Sequence, residues 1–142
     1  MALNSSILAP LSALVLWSFV MWAWLYATRI PAMIKGRVVY DPNRSAEEFH
    51  ARLPPSVRWK ADNYNHLMEQ PTLFYAVVLA LVVMGAGAGL NTTLAWIYVG
   101  LRVVHSLVQA LVNVVIWRFS IFMAASVVLL ILAIRLATVV LP

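Results

Sequence analysis

Cysteine is missing altogether from the 142 residues, which excludes disulfides and thiolate metal sites. Any thiol chemistry must therefore come from a ligand. Charge is scarce as well: 11% of residues are charged against 63% hydrophobic, and the mean hydropathy is +0.88. A soluble domain of this length needs more polar surface to stay dispersed. Acids number only five against ten Lys and Arg, giving a pI near 10.1. In a soluble protein that balance would point to nucleic acid; here the basic residues are placed asymmetrically, as membrane topology demands, and no nucleic-acid partner is expected. A basic n-region is missing ahead of the first apolar run, and no small-x-small cleavage site follows it, so that run reads as a retained helix and not a signal peptide.

What the chain does have is apolar length. Runs of about 18 residues or more read as membrane-spanning helices. They fall at about 7–28, 62–84, 93–117 and 119–141. The expected fold is one all-α membrane domain over 1–142, a bundle of four transmembrane helices with a loop at about 29–61. Seven of the ten basic residues lie between the first two runs, from Arg29 to Lys60, and Arg118 lies in the break between the last two. Those connections share one side, so the loop is expected in the cytoplasm and both termini outside. Within the loop, Asp41-Pro42-Asn43 predicts a turn, Ser45 before Glu47 and Glu48 predicts a helix start, and Pro54-Pro55 predicts its end. The loop is either a solvated rim or a lid that collects ligand. Glycines at 85, 87 and 89 predict a tight hairpin, and Asn91 is expected to cap the third span.

Polar residues enter two of these apolar runs. At about 3.6 residues per turn, Asp62, Asn65 or His66, Glu69 and Thr72 share one stripe of the second span. Arg102, His105 or Ser106, Gln109 and Asn113 form a matching stripe on the third. A charge at mid-membrane costs about 2.5–3.5 kcal/mol on insertion scales and must find a partner or water. Glu69 and Arg102 come out at similar depths, so a Glu69–Arg102 pair with His105 nearby is expected. Such a pair is either glue between helices or part of a pocket. The convergence of an acid, an arginine, a histidine and several amides favours a pocket for an anionic, polar ligand. Pro71 is expected to kink the second span just beyond Glu69 and free a carbonyl there. Arg135 is expected to snorkel to water. No metal cluster is expected.

The segments "NHLMEQPTLFYA", "AWIYVGLRVVHSLVQA" and "WRFS" resemble the MAPEG family, the membrane-associated proteins in eicosanoid and glutathione metabolism. The likeness runs from about Asp62 to Ser120, and the four-helix layout covers the chain, which looks most like the bacterial branch and its inner-membrane members. It implies a homotrimer with glutathione held between subunits near the cytoplasmic face, and lipophilic small molecules and lipids as further partners. By position it implies that Asn65, His66, Glu69, Arg102, His105 and Gln109 contact glutathione and that Arg118 is the catalytic arginine beside its thiolate. The chain also departs from the pattern. His66 stands where catalytic members have Asn, Gln109 where eicosanoid members have Tyr, and Phe119 and Phe122 where prostaglandin-type members have hydroxyls, so prostaglandin isomerisation is not expected. Three functions remain open: a glutathione-dependent transferase or peroxidase acting on lipophilic electrophiles, a non-catalytic binding or scaffold protein, and a small proton-coupled exporter. The last is disfavoured by a first span without any charge.

Overall fold

The computed structural model describes residues 6–141, so the outermost residues of both termini, expected outside the cell, lie beyond it. Six helices follow in order: α1 Leu8–Gly36, α2 Ala46–Ala51, α3 Pro55–Leu67, α4 Pro71–Val83, α5 Leu90–Leu111 and α6 Val115–Val140. No strand occurs among the described residues. Four stretches are long and apolar enough to cross a membrane: α1, α3 with α4 as one interrupted span over Pro55–Val83, α5, and α6. Of the α6 window only 17% is buried inside the chain, and Leu16, Phe19, Val83 and Ile134 are among many large side chains left outward. Backbone bonds closed within helices and apolar side chains turned outward are what lipid requires.

The spans run up and down. The Ile7 amide donates to the Gly87 carbonyl (3.1 Å), which puts the start of α1 beside the α4–α5 turn. Lys60 Nζ donates to the Ala110 carbonyl (3.5 Å), which puts the 37–54 loop beside the α5–α6 turn. The core between them is aliphatic and aromatic, with Leu14, Met21, Phe74, Val78, Leu81, Ala95 and Leu132 fully buried. The Phe74 and Tyr98 rings stack at 4.5 Å.

Local chemistry sets most of the boundaries. Ser45 caps α2, its Oγ accepting from the Glu48 amide (3.2 Å), and Asp41 Oδ1 accepts from the Asn43 amide (2.9 Å) to close the turn before it. Pro55 opens α3, where its missing N–H costs nothing. Gly85 and Gly89 take positive φ in the hairpin after α4, as expected of residues without a Cβ.

Four boundaries differ from expectation. First, α1 continues past Arg29 and Pro31 to Gly36, because Ala32 and Met33 pack with Val38 against Phe49 and Leu53 of the loop and Val57 of α3. The loop is thus docked on the bundle. Second, α3 begins at Pro55, so Arg58 and Lys60 are helical; Lys60 is buried, its Nζ bonded also to the Ser56 carbonyl (2.8 Å) and lying over the Trp24 ring. Third, α5 stops at Leu111. Asn113 turns left-handed (φ 54) and its amide reaches back to the Val108 carbonyl (2.7 Å), a helix stop that Asn tolerates well. Trp117 and Arg118 consequently lie in the first turn of α6. Fourth, Gly89 and not Asn91 is the N-cap residue of α5. Asn91 is buried; its Nδ2 donates to the Ala86 carbonyl (2.8 Å) and its Oδ1 accepts from Arg135 Nε, so Arg135 ties α6 to the hairpin instead of snorkelling.

Candidate functional site

The site begins with Pro71. Lacking an N–H, Pro71 cannot continue the α3 ladder, and residues 68–70 form a break between α3 and α4. In the break the His66 carbonyl accepts from the Glu69 amide (3.4 Å) and from Arg102 Nη2 (3.0 Å). Gln70, inside the break, accepts from the Tyr98 hydroxyl (3.3 Å) and donates from Nε2 to Ser126 Oγ (2.7 Å). Ser126 in turn donates to the Phe122 carbonyl (2.8 Å). One interrupted turn is therefore joined to both α5 and α6. Gln70 was not singled out from the sequence; its signal was an amide directly before a mid-span proline.

Around this junction lies a cleft of about 200 Å³ lined by His66, His105, Val115, Arg118, Phe119 and Phe122. The imidazoles of His66 and His105 stack at 5.9 Å with 24° between planes. His105 is almost wholly buried, and the Nδ1 atoms of both rings are buried without a hydrogen-bond partner among the described residues. Arg118 Nη1 donates to Asn113 Oδ1 (2.6 Å), so the left-handed residue that ends α5 also positions the guanidinium. Arg102 is fully buried, with its guanidinium 5.9 Å from the centre of the Phe122 ring that lines the cleft. Its Nε and Nη1 have no partner among the described residues. Two guanidinium groups, with no buried carboxylate among the described residues, suit this region to an anion.

His66, His105 and Arg118 line this cleft together, and Arg102 is tied to it by its bond to the His66 carbonyl. The other candidates lie elsewhere. Glu69 is exposed, and the expected Glu69–Arg102 ion pair does not form within the chain; the ion pair found among the described residues joins Arg44 to Asp41 (3.5 Å). The reason is the break, because Glu69 sits in it and the stripe drawn through a continuous helix loses its phase there. Asn65 is exposed and lines a second, polar pocket of about 500 Å³ next to the cleft. Gln109 is buried, its Oε1 without a partner among the described residues, and does not line the cleft. Among the described residues no group of three or more His, Asp or Glu is placed to hold a metal ion.

No match to the chain is found among curated proteins or among solved structures. The family model of MAPEG matches residues 7–138, from the first turn of the bundle to the last. That match takes in every element that builds the cleft. Four membrane-crossing helices and a family match over nearly the whole chain make this an integral membrane protein of the MAPEG family.

Proposed function

We propose that the protein is a glutathione-dependent transferase or peroxidase acting on lipophilic electrophiles, working as a homotrimer with glutathione bound between subunits near the cytoplasmic face. Members of the family are in general associated with glutathione, and the residues present fit such a ligand. The observation that carries the reading is Arg118 in an aromatic-walled cleft, with one guanidinium amino group spent on Asn113 and the side chain only half buried. Glutathione supplies a thiol, which this chain has no cysteine to provide. A cation beside a thiol favours the thiolate, the nucleophilic form. Phe119, Phe122 and Val115 form the apolar walls, and Phe119 and Val115 are exposed on the outside of the bundle, where a bilayer-dissolved electrophile arrives.

The remaining residues act as positioners. Arg102 fixes the His66 carbonyl and so the end of α3. His66 and His105 line the same cleft as Arg118 and offer polar edges to the peptide. Glu69, exposed in one chain and near the same break, is free to meet a second subunit or the ligand. The cleft alone is smaller than a tripeptide needs, and the adjoining polar pocket supplies the rest of the space. Glutathione-dependent conjugation of a chlorodinitrobenzene-type substrate in detergent tests this. Wild type should turn over and Arg118→Ala should lose most of that rate; equal rates remove Arg118 from the mechanism. A protein that binds glutathione, seen as a rise in melting temperature at millimolar ligand, but turns over no electrophile would be the non-catalytic binding form of the same fold.

A further inference from the structure

The polar pocket beside the cleft has chemistry of its own. It lies between α2, α3 and the α5–α6 turn, encloses about 500 Å³, and includes Glu47, Arg58, Trp59, Asp62, Asn65 and Asn113 in its lining. His50 adds an imidazole to the same wall. Opposite charges share this space without closing on one another. Neither Glu47 nor Asp62 forms an ion pair among the described residues, and Arg58 Nε is buried without a hydrogen-bond partner. An exposed pair so close in space would ordinarily collapse together or drift into solvent. Here the backbone holds the groups apart. Glu47 rides on α2, which is capped by Ser45 and pinned through Phe49 to α1, with Tyr40 against one edge of the ring and Arg29 5.1 Å from its centre. Arg58 and Asp62 lie one helical turn apart on α3. The Trp59 indole adds an aromatic wall of the kind that attracts an ammonium.

We infer that this pocket binds a zwitterion with a primary ammonium next to an anionic group, the ammonium taken by Glu47 and Asp62 and the anion by Arg58. Carboxylates accept the N–H donors of an ammonium, and a guanidinium donates to a carboxylate or phosphate. Two sources carry that chemistry. One is the free amino-acid end of a thiol peptide whose thiol lies in the cleft, since Asn113 lines the pocket and also holds Arg118. The other is the headgroup of an aminophospholipid, since the pocket lies at the end of the bundle and is lined by Trp59, a residue type that favours a headgroup layer. The first source rests on the proposed function; the second does not.

The experiment measures binding to the purified protein in maltoside detergent with two matched pairs of probes. Glutathione is compared with its des-amino analogue, glutaryl-cysteinyl-glycine. Dihexanoyl phosphatidylethanolamine is compared with dihexanoyl phosphatidylcholine, whose methylated ammonium has no N–H to donate. Wild type should prefer the primary amine by about tenfold in at least one pair, the scale of a charge-assisted hydrogen bond. The double variant Glu47→Gln/Asp62→Asn should bring that ratio to about one, while Arg58→Ala should weaken both members of the pair alike. All three side chains lie on the outer part of the fold, where these changes leave the core intact. A preference confined to the peptide pair assigns the pocket to the thiol ligand, and one confined to the lipid pair assigns it to the membrane. No preference in either pair, no binding of any probe, or a preference that survives the double variant overturns the inference. Loss of glutathione turnover with the lipid preference intact would sink the proposed function alone.

Discussion

Replacing Arg118 by Ala gives the sharpest test of thiolate stabilisation. A thiol of pKa about 8.5 is only about 3% ionised at pH 7. A guanidinium at about 4 Å lowers the energy of the anion by about 4 kcal/mol at an effective dielectric of 20 and by about 1 kcal/mol in bulk water. Arg118 is half buried, between those limits, so about 2 kcal/mol is a fair expectation. At 1.36 kcal/mol per unit that moves the bound thiol down by about 1.5 units, to about pH 7, where about half is ionised. The sign follows from the charges: a cation stabilises the anion, so the wild-type advantage is largest on the acid side and disappears above about pH 9. The assay is a pH titration of the ultraviolet thiolate band of enzyme-bound glutathione. It is preferred to rates alone, because a less basic thiolate is also a weaker nucleophile. Wild type should titrate near pH 7 and Arg118→Ala near the value of free glutathione. Midpoints within about 0.3 units of each other would refute the electrostatic account, whatever happened to turnover.

Other substitutions separate roles that share a residue. Asn113 both ends α5 and anchors Arg118; Asn113→Gly should keep the left-handed turn and the melting temperature but lower the glutathione-dependent rate severalfold, whereas Asn113→Ala should also lose about 1–2 kcal/mol of stability in a denaturation experiment. Gln70→Leu removes the bridge from Tyr98 to Ser126 and takes away the acceptor of the Tyr98 hydroxyl, while Ser126 keeps its bond to the Phe122 carbonyl; thermal unfolding in detergent should show a loss of about 1–3 kcal/mol. Phe74→Ala empties a fully buried site against the Tyr98 ring and should cost about 3–5 kcal/mol, while Leu79→Ala, on the outer face of the same helix, should cost well under 1 kcal/mol. Equal effects at positions 74 and 79 would mean that α4 is rotated from the orientation described.

The features legible from the chain alone are those that neighbouring residues decide among themselves. Four spans follow from apolar length, the Asp41 turn and the Ser45 cap from side chains that bond to backbone two or three residues away, and the break near Glu69 from a proline without a donor. Family membership was legible for the same reason, because its motifs lie within single helices. What the sequence could not settle was how each helix is turned about its axis and which side chains meet across the bundle. A stripe drawn at constant pitch through the second span put Glu69 opposite Arg102, yet the break before Pro71 resets the helical phase, so Arg102 found the His66 carbonyl and Glu69 faced outward. The left-handed turn at Asn113 moved Arg118 from an expected loop into a helix, beside two imidazoles. Such meetings depend on packing many side chains at once, and no short stretch of chain contains that information.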